Sequence, residues 1–180
     1  RERIKGARRA DLIVVTKTPK VLSPITRRNM EMELKPKKHQ RLSYSYVGYE
    51  QPVPLAQCST QKPAAAKYSY IIMVAGVANS YPFQEYLRGI CNELTVIDFK
   101  DHHQYTTQDL EKISREYQSI ISKDKVIFTT EKDAMRLEKE DFSELRRGLP
   151  IYYVPIRIRF HHHDDTRFDK FIQSYVERNQ

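Results

Sequence analysis

The spacing of apolar residues changes several times along the first part of the chain, and each change predicts an element. Residues 10–16 form an almost continuous apolar run, which is typical of a buried strand. A helix is predicted from Pro24 to about Leu34, because Ser23 is a favoured N-cap and proline a favoured first helical residue. Residues 41–49 then follow a two-residue period, which predicts a strand with aromatic side chains on one face.

The middle of the chain begins with a connection and continues as a regular series. Residues 51–67 carry three prolines and little periodicity, and we expect them to form the connection. The predicted strands that follow are 68–75, 94–99, 125–129 and 151–155, and the predicted helices between them are 80–90, 107–121 and 130–137. Strands that alternate with helices predict a parallel sheet covered on both faces. The expected fold class is therefore α/β, with a three-layer, Rossmann-like lobe.

The end of the chain returns to a two-residue period. Residues 156–160 alternate strictly, and an amphipathic helix is predicted from 165 to 177. Because residues 41–49 and 156–160 lie at the two borders of the α/β block, we expect them to pair as a two-stranded linker ribbon. The expected division is 1–40 as the strand and helix of another, mostly absent lobe, 41–66 as linker strand and loop, 67–155 as the α/β lobe, and 156–180 as returning linker strand and C-terminal helix.

The chain carries a formal net charge of +8, and its cations are concentrated near the start. The early basic residues, as we name them, are Arg1, Arg3, Lys5, Arg8, Arg9, Arg27, Arg28, Lys35, Lys37, Lys38 and Arg41. Such a concentration either attracts a polyanion, such as nucleic acid, anionic lipid or a phosphorylated substrate, or forms an ordinary solvated surface.

Hydropathy and cysteine spacing limit the class of protein. The longest apolar run, residues 71–78, is far shorter than the roughly 20 residues that span a bilayer, and no signal-peptide pattern is present. Cys58 and Cys91 have neither metal-site nor disulfide-framework spacing, which favours a reducing compartment. We therefore expect a cytosolic protein, soluble or peripheral. A chain that begins at Arg1 with a strand pattern close behind is also expected to be a fragment or a processed chain.

Three strand-to-helix turns are expected at one edge of the sheet, because the carboxyl ends of parallel strands meet there and form the usual ligand edge. In the second turn, Asp101, His102 and His103 follow a strand. Either Asp101 is a capping carboxylate beside two surface imidazoles, or a carboxylate fixes the tautomer of a histidine that acts in acid–base chemistry. Thr106 and Asp109 are predicted to form a capping box at the next helix.

The first and third turns offer weaker candidates. Gly76 suits a close backbone approach, and Ser80 is either an ordinary N-cap or the start of an anion site at free helical amides. In the third turn, Thr130 and Asp133 are predicted to form a capping box. Lys132 lies in the first helical turn, where the helix dipole disfavours a cation, so a ligand or carboxylate partner is expected.

Several familiar signatures are absent from the sequence. It contains no Walker A sequence, no GxSxG elbow, no HExxH and no paired CxxC. The triplet of residues 161–163 is all histidine, but consecutive residues of an extended chain alternate in direction and cannot converge on one metal ion. We expect this triplet at the surface.

Five segments together resemble the C-terminal part of the tetraacyldisaccharide 4′-kinase family, the lipid A kinases. They are Ala10 to Lys17 (ADLIVVTK), Gly76 to Asn79 with Phe83, Phe99 to Tyr105 (FKDHHQY), Thr129 to Ala134 (TTEKDA), and Leu149-Pro150 leading to Pro155-Ile156-Arg157. The matches occur in the family's order over almost the whole chain. The family's N-terminal phosphate-binding loop and acidic metal-binding motifs have no counterpart in this sequence.

The resemblance implies two α/β lobes, joined by a two-stranded linker, that use ATP and Mg²⁺ to phosphorylate the 4′-hydroxyl of a tetraacyldisaccharide 1-phosphate in lipid A biosynthesis. The implied location is the cytosolic face of the inner membrane of a Gram-negative bacterium. The implied partners are the lipid A precursor disaccharide and the anionic membrane surface, and no nucleic acid is expected. ATP and Mg²⁺ would be held mainly by the N-terminal lobe, so this chain alone is expected to be inactive. No oligomeric state is predicted.

The resemblance also implies roles for individual residues. In the family a histidine of the second lobe works with an aspartate of the first, and the match assigns that histidine to His102, with Asp101 beside it. The implied substrate or phosphate contacts are Gly76, Asn79, His103, Glu131 and Lys132, the implied nucleotide-side residues are Thr16 and Lys17, and no metal ligand is implied.

Two other functions remain open on the residues alone. Asp98, Asp101, His102 and His103 have donor atoms suited to a metal-dependent phosphohydrolase lobe. The early basic residues, together with Tyr44, Tyr46 and Tyr49, have the composition of a nucleic-acid-binding module.

Overall fold

A computed structural model of the chain describes residues 4–56, 67–161 and 164–178. The chain forms two compact units, here unit 1 (Arg1–Gly48 with Arg157–Gln180) and unit 2 (Tyr49–Ile156). The prediction that residues 1–40 belong to an ATP-binding lobe, and that 41–66 and 156–180 form its linker and return, stays a prediction. Cys58 lies outside the described residues.

The observed elements follow the predicted series closely. The strands are β1 (Leu12–Val15), β2 (Arg41–Tyr49), β3 (Val53–Pro54), β4 (Tyr68–Ala75), β5 (Cys91–Asp98), β6 (Lys125–Thr130), β7 (Ile151–Val154) and β8 (Ile156–Phe160). The helices are α1 (Pro24–Leu34), α2 (Tyr81–Arg88), α3 (Thr107–Ser119), α4 (Glu131–Leu137), α5 (Ser143–Arg146) and α6 (Asp164–Arg178), with 3-10 turns at Ile4–Arg9 and Glu140–Phe142. The predictions contained neither β3 nor the turn and helix between residues 140 and 146.

Side-chain hydrogen bonds from residues close in sequence cap the predicted starts of α1 and α3. The Oγ of Ser23 accepts a hydrogen bond from the amide of Thr26, which satisfies one of the free donors of α1. At α3, the Thr106 side chain accepts from the Asp109 amide and the Asp109 carboxylate accepts from the Thr106 amide. The predicted capping box at α3 is therefore confirmed.

Unit 1 contains a three-stranded sheet in the order β1-β2-β8. The predicted pairing of the two alternating strands is confirmed, because β2 and β8 are neighbours, and β1 adds a third strand parallel to β2. His161 follows β8 and is buried, with Nε2 2.8 Å from the Oγ1 of the buried Thr18. The prediction that the histidine triplet lies at the surface is therefore wrong for His161, and residues 162–163 lie outside the described part of the chain.

Unit 2 contains a five-stranded sheet in the order β3-β7-β6-β4-β5. Strands β4, β5, β6 and β7 are parallel, and the short β3 runs antiparallel to β7 at the edge. Ala75 lies opposite Asp98, and Val74 lies opposite Thr129. The carboxyl ends of β4, β5 and β6 therefore meet at one edge, as the sequence predicted.

Helices cover both faces of this sheet and produce three layers. One core contains Phe83 and Leu87 of α2, and the other contains Leu110 of α3 and Leu137 of α4. Helix α2, which follows β4, therefore packs on one face of the sheet, and helix α4, which follows β6, packs on the other. This reversal makes the gap between β4 and β6 a topological switch point, the position where open α/β sheets bind ligands. Among the described residues, no helix is long and apolar enough to cross a membrane.

Candidate functional site

The candidate site lies at the switch point, and the backbone amide and carbonyl of Gly76 are at its centre. The Gly76 amide donates a hydrogen bond to Asp133 Oδ2 at 2.9 Å, which links the loop after β4 to α4. The Gly76 carbonyl accepts from the backbone amide of His102 at 3.2 Å and from Nη1 of Arg136 at 3.3 Å. The backbone of one residue, Gly76, therefore joins all three predicted loops.

The surroundings of Gly76 leave little room for a side chain. A Cβ at this position would lie 3.1 Å from Asp133 Oδ1 and 3.3 Å from the Cβ of His103. The predicted close approach at Gly76 is therefore confirmed, and it consists of contacts within the protein.

Asp133 makes contacts beyond the local helix cap that the sequence predicted. Its amide donates to Thr130 Oγ1 at 3.2 Å, which is one half of the capping box. Its fully buried carboxylate accepts from the Thr130 hydroxyl at 2.6 Å, from the Gly76 amide, and from Arg136 Nη1 at 3.1 Å on Oδ1. The other half of the predicted capping box is therefore replaced by contacts to a different loop and to an arginine.

His102 is exposed but held at two points. Its side chain is 77% exposed, and its backbone is left-handed with φ of +60°. The left-handed region is unfavourable for a residue with a Cβ, and here the hydrogen bond to the Gly76 carbonyl stabilises it. Nδ1 lies 3.3 Å from Nη2 of Arg136, and Nε2 lies 3.7 Å from Asp101 Oδ2. Because 3.7 Å exceeds a hydrogen bond, Asp101 does not fix the imidazole in this structure.

His103 is held inside the loop. Its Nε2 lies 2.9 Å from Asp109 Oδ2, and its ring stacks on Phe99 at 4.5 Å between centroids. Partial burial raises the pKa of Asp109, but the hydrogen bonds from His103 and Thr106 outweigh it and hold that pKa below its usual 3.8. His103 therefore has a structural partner of its own, whereas the ring of His102 stays accessible.

Two hydroxyls at this edge, Tyr105 Oη and Thr129 Oγ1, are inaccessible to solvent. Thr129 Oγ1 has no hydrogen-bond partner within the described part of the chain, whereas the Tyr105 hydroxyl interacts with the Asp133 carboxylate. Burial raises the pKa of the Tyr105 phenol, and the nearby carboxylate of Asp133 raises it further. Tyr105 is therefore a neutral donor beneath the Gly76 loop.

Two residues of the first loop make local contacts. Ser80 is the N-cap residue of α2, as predicted, but its side chain makes no capping bond. Its Oγ donates to Asp98 Oδ2 at 3.0 Å. The exposed Asn79 accepts from the Tyr81 amide at 3.2 Å, which is the geometry of an Asx turn.

The other predicted contact residues are exposed. Glu131 and Lys132 lie at the start of α4, and Lys132 has no hydrogen-bond or ion-pair partner among residues 4–56, 67–161 and 164–178. The carboxylate partner expected for Lys132 is therefore absent from this part of the protein. Thr16 and Lys17 belong to unit 1, where both are exposed at the end of β1 and Lys17 has φ of +58°.

The donor atoms of the second loop do not assemble as metal ligands. No group of three or more histidine, cysteine or acidic side chains suited to a metal ion occurs in the described ranges. The Asp98 carboxylate bonds to Ser80, and His103 bonds to Asp109. The alternative of a metal-dependent phosphohydrolase lobe has no support in this geometry.

The sequence predictions missed Arg136 altogether. They placed Asp109 only in the capping box and Tyr105 only at the end of the second turn, and they predicted neither the contact of Asp109 with His103 nor that of Tyr105 with Asp133. The clearest available signal was the spacing of Asp133 and Arg136, which lie three residues apart and therefore on one face of a helix. The structure shows that this pair is only partly accessible, with side-chain exposures of 0% for Asp133 and 19% for Arg136.

Comparisons with known proteins agree on one family. The family model of Tetraacyldisaccharide-1-P 4′-kinase (LpxK) matches residues 1–177. The tetraacyldisaccharide 4′-kinase of Flavobacterium johnsoniae is 32% identical over 179 residues, which cover 99% of this chain and 48% of that protein. The enzyme of the same name from Parabacteroides distasonis is 28% identical over 180 residues, which cover 98% of this chain and 49% of that protein.

The fold has a solved counterpart. The crystal structure of the "apo" form of LpxK from Aquifex aeolicus, in complex with ATP, matches with a TM-score of 0.53 at 15% identity. The match covers 97% of this chain and 45% of that chain, and at this identity it shows the shared fold. The chain spans about half the length of the curated relatives it matches. Because the family model extends over nearly all of its residues, the chain belongs to the tetraacyldisaccharide-1-phosphate 4′-kinase family.

Proposed function

We propose that this chain supplies one lobe of a kinase that transfers the γ-phosphate of ATP to the 4′-hydroxyl of a tetraacyldisaccharide 1-phosphate in lipid A biosynthesis. Family membership supports the reaction. The observation that carries the site is His102, whose exposed imidazole is attached to the switch point through Gly76 and Arg136. An accessible imidazole at the ligand edge is suited to a proton-transfer role near neutral pH.

In this proposal His102 assists removal of the proton from the acceptor hydroxyl. It either takes the proton itself or orients a carboxylate of the other lobe that takes it, and closure of the lobes brings these groups together. Asp101 shapes the turn. The exposed Lys132 and Asn79, with Glu131 beside them, are the proposed contacts for the phosphate and sugar groups of the substrate.

The chain's own residues do not fit a site for ATP or Mg²⁺. The sequence contains no GxxxxGK[ST] loop, and no acidic metal-binding cluster occurs in the described part of the chain. We propose that the other lobe holds the nucleotide and the metal ion, and that Thr16 and Lys17 lie on the nucleotide side. The early basic residues are proposed to favour an anionic membrane surface, in keeping with a peripheral inner-membrane enzyme.

The proposal is tested in a two-lobe enzyme made by joining this chain to the half of the Flavobacterium johnsoniae kinase that it does not match. We expect this enzyme to phosphorylate the lipid disaccharide with ATP, and the 180-residue chain alone to be inactive, since phosphoryl transfer requires a phosphate cradle and a bound metal ion. Replacement of His102 by alanine should lower kcat by about 10²- to 10⁴-fold with little change in KM for ATP.

The matched control is His39→Ala, which removes another exposed imidazole from the same chain and should leave kcat unchanged. The proposal fails if the joined enzyme is folded but inactive, or if the chain alone phosphorylates the disaccharide. It also fails for the site if His102→Ala and His39→Ala have equal effects.

A further inference from the structure

Arg136 makes contacts that the proposed role of His102 does not explain. Its Nη1 donates to Asp133 Oδ1 and to the Gly76 carbonyl, whereas its Nη2 lies 3.3 Å from Nδ1 of His102. The side chain is only 19% exposed. One guanidinium therefore joins the buried part of the switch point to the exposed imidazole.

The chemistry of the two groups determines the direction of their hydrogen bond. A guanidinium carries five N–H donors, has no acceptor, and stays protonated in proteins. Nδ1 of His102 must therefore be the acceptor, and a neutral imidazole that accepts at Nδ1 carries its proton on Nε2. Nε2 lies beyond hydrogen-bond reach of Asp101, so its N–H remains available to another group.

We infer that Arg136 is a positioning residue for His102, and that it selects the tautomer with the proton on Nε2. The inference rests on the proposed function and deepens it. While the Arg136 contact is intact, His102 presents a hydrogen-bond donor at Nε2 and has no free lone pair. Of the two roles proposed for His102, the structure therefore favours orienting a carboxylate over accepting the proton.

The backbone of Gly76 and His102 also supports this placement of the two side chains. The Gly76 carbonyl accepts from both the His102 amide and Arg136 Nη1, so the imidazole and the guanidinium are placed against the same peptide. The left-handed backbone of His102 brings its ring to the arginine at the end of this turn. The backbone conformation of the loop thus places the His102 ring beside the Arg136 guanidinium.

The first test measures the tautomer directly on the 180-residue chain and needs no activity. Nitrogen-15 spectra of the histidine rings are recorded at about pH 8.5, where a free imidazole is neutral, and the His102 signals are assigned by their loss in His102→Gln. We expect the proton on Nε2 and an Nδ1 signal shifted by hydrogen bonding. In Arg136→Lys that Nδ1 shift should move toward the value of a free imidazole, because an ammonium cannot serve Gly76, Asp133 and the imidazole together.

The matched control for this test is Arg147→Lys. Arg147 forms an ion pair with Glu144 at 2.9 Å and the same three-residue spacing, but both side chains are more than two-thirds exposed. A wild-type spectrum with the proton on Nδ1 would overturn the inference without any variant. A His102 spectrum that is unchanged in Arg136→Lys and also in Arg136→Gln would do the same.

The second test is a double-mutant cycle in the two-lobe enzyme. Arg136→Lys should lower kcat by about 10- to 100-fold, as expected for a displaced catalytic group, with KM for ATP unchanged. In a His102→Gln background the same substitution should change kcat by less than about twofold, because a positioning residue acts only through its target. Equal losses in both backgrounds would show a general structural role and refute the inference.

The two proposals fail separately. An unsubstituted two-lobe enzyme without activity would refute the proposed function, and the spectra of the 180-residue chain would still decide the tautomer. An active enzyme whose His102 carries its proton on Nδ1 would refute the role of Arg136 and leave the proposed function standing.

Discussion

Removal of the Asp133 carboxylate is expected to destabilise unit 2 more than any exposed charge change. The carboxylate is fully buried and accepts from the Gly76 amide, the Thr130 hydroxyl and the Arg136 guanidinium. Asp133→Ala would leave all three donors without this acceptor. Loss of one member of a buried ion pair costs about 3–5 kcal/mol, because the other charge stays buried and unpaired.

The structure places the expected loss near the lower end of that range. Arg136 is 19% exposed, so water can reach part of the stranded guanidinium. We therefore expect Asp133→Ala to lower the free energy of unfolding by about 3 kcal/mol. Asp133→Asn keeps an acceptor oxygen but loses the charge, and it should cost about 1–3 kcal/mol.

Urea denaturation followed by far-ultraviolet circular dichroism measures these losses in the free energy of unfolding. The comparison holds when the slope of that free energy against urea concentration is the same in the variant and the wild type. Hydrogen exchange of the Gly76 amide assigns the effect to the switch point, since this amide loses its acceptor. The control is Glu144→Ala, which removes an exposed carboxylate paired with Arg147 and should cost less than about 1 kcal/mol. A loss for Asp133→Ala equal to that of the control would refute the reasoning.

Three further predictions concern pH, the helix dipole and membranes. The pKa of Asp109 in the folded protein lies below 3.8, so its carboxylate stabilises the fold above pH 3.8 and loses this effect as the pH falls through the folded pKa. The difference in melting temperature between wild type and Asp109→Asn should therefore shrink over this range. A difference that stays constant would contradict the prediction. Lys132→Ala should leave the melting temperature unchanged or slightly higher, because the helix dipole disfavours a cation there, while it lowers kcat of the two-lobe enzyme; a clear loss of stability with full activity would contradict this. The early basic residues should bind anionic vesicles weakly and lose them at high salt in a sedimentation assay, and equal binding to neutral vesicles would contradict it.

The sequence was a reliable guide where the deciding partners lie within four residues. Ser23 with Thr26 and Thr106 with Asp109 satisfy free amides at the starts of their helices. The additional bond from His103 to Asp109 leaves the capping box at α3 intact. The period of apolar residues likewise predicted the parallel sheet, because its central strands β4 and β6 are buried along most of their length.

Predictions failed where a distant partner replaced the local one. Ser80 lies at the predicted N-cap of α2, but its hydroxyl bonds to Asp98, 18 residues away, and makes no capping bond. Asp133 keeps one half of its predicted cap with Thr130, but its carboxylate also binds the amide of Gly76, 57 residues away. His161 was expected at the surface because it belongs to a run of three histidines. In the structure it is buried and forms a hydrogen bond with Thr18. Pattern rules describe only the nearest residues, so they carry no information on such long-range contacts.

The closure of unit 1 by distant parts of the chain has a consequence for the order of folding. The bond between Thr18 and His161 joins residues 143 positions apart, and the bond from the Tyr44 amide to Asp164 spans 120 positions. Bringing such positions together costs about 4 kcal/mol of chain entropy, and it requires that β8 has already been synthesised. Unit 2 is continuous in sequence and is complete earlier. During synthesis, β2 therefore keeps one edge unpaired until β8 is synthesised, and until then that edge is open to pairing with another strand.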